Sequence, residues 1–144
     1  MPLHAPYDPD NIFAKILRGE MPAVKVFEDD VAFAFMDIFP QAEGHTLVIP
    51  KDVEARNLLD MPAEKLGAYM ERVQRVARAV EKALSPDGII VTQFNGSVAG
   101  QTVFHLHFHI IPRTEGTSLG RHGSGGMADT GELEKLAEKI VTAL

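Results

Sequence analysis

The chain contains no cysteine. Disulfides, thiolate nucleophiles and every metal site that needs a thiolate ligand are therefore excluded. Positive charge is in the minority, with 14 Lys and Arg against 20 Asp and Glu and a formal net charge of −6. That balance argues against a nucleic-acid partner or an anionic membrane surface, because phosphate-backbone affinity comes from Lys and Arg. A small phosphorylated ligand held by a few local donors stays open. No window approaches the run of about 18 apolar residues that a membrane span requires. Residues 1–10 have neither a basic start nor an apolar stretch of leader length, so a cytoplasmic location is expected.

What is present fits one folded domain. There are 144 residues, 45% apolar and 24% charged, a normal balance for a chain that buries a single core. Residues 1–9 carry three prolines and read as an irregular arm ahead of a domain over 10–144. Asp10 or Asn11 can cap a short helix over 12–18, closed by Gly19, with Phe13, Ile16 and Leu17 inward. Strands are expected over 24–28 and 31–36, joined at Asp29-Asp30. The second alternates bulky residues at 31, 33 and 35 with alanines, which suits a helix or second layer on its bulky face.

A third strand over 44–50 carries His45. One long helix over 62–84 presents Leu66, Tyr69, Met70, Val73, Val76, Ala77, Val80 and Leu84 as an apolar stripe. A fourth strand over 89–94, a glycine-bearing turn over 95–101 and a fifth strand over 102–111, stopped by Pro112, follow. A glycine-rich loop over 113–131 leads to a last helix over 132–144, with Leu133, Leu136, Ile140 and Leu144 on one side. The fold class is α+β, a five-stranded antiparallel sheet with helices on one face, one long central helix and short terminal helices.

The informative segment is Phe104-His105-Leu106-His107-Phe108-His109-Ile110-Ile111. Strand side chains alternate, so His105, His107 and His109 share one face, about 6.6 Å apart, while Leu106, Phe108 and Ile110 face the core. Imidazole is a poor core residue, so three in strict alternation point to chemistry. A metal site is one reading, with a neighbouring pair joined by His45. The outer two lie about 13 Å apart by strand rise, too far to share one ion at about 2 Å per bond. Covalent phosphate chemistry is the other, since a neutral imidazole attacks phosphorus when its far nitrogen is held as N–H. The turn ahead of the row offers Asn95, Ser97, Gln101 and Thr102. Its glycines allow backbone N–H groups to converge on anionic oxygens.

The segment 105–111 resembles the His-φ-His-φ-His-φ-φ signature of the histidine-triad family, where φ is apolar. The likeness extends to residues 12–22, 35–42, 44–51 and 95–112. It implies a nucleotide hydrolase or transferase acting at the α-phosphate of nucleoside 5′-phosphoryl compounds. By this resemblance His107 is the nucleophile, His109 contacts the phosphate and bridging atom, and His105 and His45 orient the nucleophile. Asp37 would accept from the ribose hydroxyls. Asn95, Gln101 and Thr102 would surround the phosphate and leaving group, and Phe13, Ile16, Phe35 and Ile38 would form the purine pocket.

Many bacterial members build a structural zinc site from Cys-x-x-Cys, a histidine and the first triad histidine. Asn11, Ala14 and Val53 stand at or near those positions here, so no metal and no cofactor are expected. Purine nucleoside phosphoramidase is the branch implied, with a dinucleoside polyphosphate hydrolase or a nucleotide-binding scaffold of little turnover as alternatives. Arg113 or Arg121 would contact a polyphosphate in the first of these. The family also implies a homodimer, for which the stripes of the helices over 62–84 and 132–144 offer candidate surfaces.

Overall fold

A computed structural model describes residues 3–119 and 126–144. In chain order its elements are α1 (Ile12–Leu17), β1 (Lys25–Glu28), β2 (Ala32–Met36), β3 (Thr46–Pro50), α2 (Ala63–Leu84), β4 (Gly88–Thr92), β5 (Phe108–Arg113) and α3 (Thr130–Ala143). Short 3-10 turns occupy Leu58–Asp60 and Ser97–Ala99. The strands form one antiparallel sheet in the order β1-β2-β3-β5-β4. Among the described residues no helix is long and apolar enough to cross a membrane.

Local chemistry sets the element ends. The Asn11 side chain accepts from the Ala14 amide and caps α1. Pro62 stands ahead of α2, and Ser85, in the left-handed region at φ 49°, ends it before Pro86. Gly44 (φ +91°) precedes β3, and a Cβ there would run into Leu84 of α2. Only glycine fits a turn that is both left-handed and pressed by a helix end.

Helices cover both faces of the sheet, not one. α2 and α3 bury Tyr69, Val73, Val76, Val80, Leu133, Leu136 and Ile140 against Ala32, Ala34, Met36, Val48, Leu106, Phe108 and Ile110. On the opposite face Phe13 of α1 packs with Phe33, Phe35, Leu47 and Ile49. The bulky face of β2 thus carries α1, as expected, and the long helix lies on its alanine face. Small side chains let a helix approach the sheet closely, and the phenylalanines are left to build the other side.

The stripes of α2 and α3 are packed in the same core inside the chain, apart from Met70 and Leu144, which are exposed. The last helix begins at Thr130, two residues before the expected start, because the Asp129 side chain caps it through the Glu132 amide. Of the expected loop over 113–131, Arg113 belongs to β5, Thr130 and Gly131 belong to α3, and 120–125 lie outside the described residues.

Candidate active site

The alternation holds across the histidine segment: Leu106, Phe108 and Ile110 enter the α2-facing core, and the histidines turn the other way. The sheet ladder does not reach so far. β5 starts at Phe108, six residues later than expected, and runs through Pro112 to Arg113. Pro112 pairs with Ile89 beyond the reach of β3, whose last partner on β5 is Ile110. A residue without N–H is tolerated where the strand is paired on one side only.

Residues 105–107 are held instead by individual bonds. The Leu106 amide donates to the Ala55 carbonyl (2.9 Å). His105 Nε2 lies 3.1 Å from the Pro50 carbonyl, and His105 Nδ1 lies 2.7 Å from the Tyr7 hydroxyl. The row is also deeper than a solvent-facing strand predicts. His45, His105, His107 and His109 are 0, 1, 6 and 4% exposed, because Tyr7, Phe13 and Phe94 set ring edges against it.

The partners assign the tautomers. A carbonyl only accepts, so His105 donates from Nε2 to Pro50, and its Nδ1 accepts from Tyr7. Burial drives the His105 pKa down to about 4, against the pull of the Pro50 carbonyl and with His107 adding to the fall. This ring is neutral at pH 7. His107 Nδ1 lies 2.7 Å from the His105 carbonyl and must donate to it, so a neutral His107 carries its lone pair on Nε2.

The Gln41 amide donates to His45 Nδ1 (3.0 Å), which puts the His45 proton on Nε2, 2.9 Å from His109 Nδ1 and 3.4 Å from Asp37 Oδ2. A neutral His109 that accepts at Nδ1 carries its proton on Nε2. The ring centroids of His107 and His109 are 5.0 Å apart. A nitrogen carrying a lone pair and an N–H donor therefore stand on adjacent rings.

The other expected site residues divide into two groups. Phe13 and Phe35 are close to the row: Phe13 meets His107 edge-on at 4.9 Å and Phe35 at 5.2 Å. Ile16 packs behind them, half-buried. Ile38 stands exposed, and Asp37 is buried with Oδ1 accepting from the Phe39 amide (2.8 Å), a turn bond. Gln101 is not turned to a ligand. Its Nε2 donates to the Arg56 and Val103 carbonyls and its Oε1 accepts from the Gly96 amide, so it fastens the loop. Asn95 Oδ1 accepts from the Leu58 amide and from Gln93, also fastening; Thr102 is exposed. Arg113 lies at the far end of β5, bonded to the Thr117 carbonyl, and Arg121 lies outside the described residues.

Sequence reasoning missed Tyr7, which reaches His105 across 98 positions. It also missed Arg56, which is buried with its guanidinium 4.4 Å from the Phe104 ring centroid. Neither contact has a periodicity; the one available signal was an aromatic residue in an arm otherwise poor in reasons to dock.

Two metal arrangements can be tested against these residues. The zinc site implied by the resemblance does not fit. Asn11 Oδ1 is bonded to the Ala14 amide, Ala14 and Val53 offer no ligand, and both nitrogens of His105 are engaged. Separately, Asp37, His45 and His109 bring one ligand-type atom each within 4.8 Å of one another, all buried. Here a proton on His45 Nε2 already joins the group, and an ion would have to displace it.

A family model described as the HIT domain matches residues 18–116. The chain belongs to the HIT family. A HIT-like protein from Bartonella henselae, described as involved in cell-cycle regulation and solved with an unknown ligand, is 54% identical. It covers 97% of this chain and 100% of its own, with a TM-score of 0.91. The adenosine 5′-monophosphoramidase of Saccharomyces cerevisiae is 38% identical over 134 residues, 92% of this chain and 82% of that protein. A zinc-bound HIT-family structure from Mycobacterium smegmatis is 34% identical, covering 93% of this chain and 92% of its own, with a TM-score of 0.79.

Proposed function

We propose that this HIT-family nucleotide hydrolase is a metal-independent purine nucleoside phosphoramidase with His107 as its nucleophile. The observation that carries the reading is the bond from His107 Nδ1 to the His105 carbonyl, which puts the lone pair on Nε2. In the first step Nε2 attacks the α-phosphorus, the P–N bond to the amine breaks, and a nucleotidyl-histidine forms. The cationic ring of that intermediate keeps its Nδ1 proton on the same carbonyl. An amine must take up a proton as it leaves, and the Nε2–H of His109, backed by His45, is the donor the tautomers supply. Water then attacks phosphorus, its proton returns to the relay and Nε2 is released.

Phe13, Phe35, Ile16 and Ile38 are assigned to the purine side, and Asp37 to the ribose hydroxyls. A carboxylate accepts about four hydrogen bonds over its two oxygens, so the turn bond to Phe39 does not exhaust it. Thr102, exposed beside the fastened loop, is assigned to the phosphate and leaving group. Asn95 and Gln101 serve by holding that loop's shape. Relatives named as adenosine 5′-monophosphoramidases support the branch.

Turnover of adenosine 5′-monophosphoramidate beside a diadenosine polyphosphate, each with and without chelator, tests the reading. Faster cleavage of the phosphoramidate, unchanged by chelator, is expected. Preference for the dinucleotide would move the chain to the other branch, and loss of activity in chelator would defeat metal independence. Two further expectations go with this reading, a homodimer and a cytoplasmic location. Sedimentation decides the first and cell fractionation the second.

A further inference from the structure

The nucleophile's orienting carbonyl sits in a stretch that no strand ladder supports. His107 Nδ1 donates to the His105 carbonyl, yet β5 begins only at Phe108. The peptide after His105 is fixed on one side by the Leu106 amide on Ala55. On the other side it depends on the His105 ring, gripped at both nitrogens, by Pro50 through Nε2 and by Tyr7 through Nδ1.

We infer that Tyr7 is a positioning residue: the N-terminal arm acts as a clasp whose phenol holds in place the His105 ring, whose tautomer Pro50 sets, and so holds the carbonyl that aims His107. Three observations support this. The arm is anchored independently, with Asn57 Nδ2 donating to the Leu3 carbonyl (3.1 Å) and Leu3 lying against Gly96 of the active-site turn. The phenol must be the donor, because His105 spends its ring proton on Pro50. Burial raises the Tyr7 pKa, so the donating proton is present throughout the neutral range. The ionisable groups acting around this pair are His107 on the His105 side, and Asn11-bonded Tyr7's neighbours Glu54, Arg18 and Asp8.

The clasp stands where the resemblance implies a structural zinc site in other members. The zinc ligands implied by the resemblance are missing at 11, 14 and 53, and the His105 nitrogen that would be free for such an ion carries a phenol instead. An ordered arm is then part of the catalytic apparatus and not an appendage to it.

The inference rests on His107 being the nucleophile, and its test separates the two. Tyr7→Phe keeps the ring and its packing and removes one hydroxyl. Histidine-selective ¹⁵N correlation spectra of the free protein, recorded against pH, report tautomer and titration at His105 and His107 without any turnover. In wild type His105 should hold its proton on Nε2 down to about pH 4. In Tyr7→Phe it should titrate at higher pH while Pro50 keeps the neutral ring's proton on Nε2, because a hydrogen bond favouring the neutral ring is gone.

With adenosine 5′-monophosphoramidate, Tyr7→Phe should lower kcat about tenfold, the size of one lost hydrogen bond, with KM held within about twofold. The acid limb of its kcat–pH profile should move to higher pH. Spectra and kcat indistinguishable from wild type would overturn the clasp. So would a loss in Tyr7→Phe matched by an equal drop in folded protein with the His105 signals of the folded fraction unchanged. If wild type itself fails to turn over, the functional reading falls, and the spectra alone still decide the clasp.

Discussion

On one face of the sheet, Leu106, Phe108 and Ile110 pack among the aliphatic side chains of α2 and α3 with no polar partner to satisfy. On the other, His105, His107 and His109 come from the same eight residues of chain and each makes hydrogen bonds through identified nitrogens. The first face tolerates any side chain of suitable volume, since burial is non-directional. The second depends on which atom carries which proton, and a change of one hydroxyl or one tautomer alters it. Stability and chemistry are thus assigned to opposite sides of one segment, and substitutions on the two sides should fail in different ways.

The largest effect is expected on the polar face. His107→Ala should lose more than about 10³-fold in kcat, while its unfolding midpoint stays near that of wild type. A comparable loss of stability would show that the two faces are not separable. On the apolar face, Ile110→Ala should cost about 2–5 kcal/mol in urea unfolding, as for other fully buried aliphatic side chains. The kcat of the molecules that remain folded should match wild type.

His105 adds a pH term to the polar face. Its pKa is near 4 in the fold against an ordinary value of 6.5, so the unfolded chain takes up a proton that the folded chain refuses. Its contribution is complete above pH 6.5, is lost as pH falls from 6.5 to about 4, and changes no further below. The total is about 3 kcal/mol. His105→Gln should flatten the urea midpoint across that window; an unaltered slope would mean that other groups set it. The smallest change expected is for Asp37→Ala, about a tenfold rise in the AMP dissociation constant by calorimetry. Unchanged affinity would leave Asp37 as a turn residue bonded to Phe39 and nothing more.

The two faces also differ in how far they could be read from the sequence. Period-two alternation over 105–110 separated the core-facing side chains from the histidines correctly, because it needs only an extended backbone and not a paired strand. The end of the ladder was not legible. Ahead of Phe108 the Leu106 amide bonds to the Ala55 carbonyl and not to a strand partner, a contact between distant segments that no local pattern announces. The stripes of α2 and α3 were visible as stripes, but periodicity does not say whether a face meets its own chain or another. Here they meet each other and the sheet. Likewise Gln101 and Asn95 were found by motif as loop residues, and only their bonds show that they hold backbone. Tyr7 left only the faint signal of an aromatic residue in the arm, since a single hydroxyl on a distant imidazole has no pattern.

Trapping the covalent intermediate tests the central claim most directly. Wild type and His107→Ala would be mixed with adenosine 5′-monophosphoramidate labelled at the α-phosphate and quenched within one turnover. The bound label would then be assayed for the acid lability and alkali stability of a phosphorus–nitrogen bond. Label of that kind on wild type and none on His107→Ala is the result predicted. Equal label on both proteins, or turnover by wild type with no label at any quench time, would contradict it.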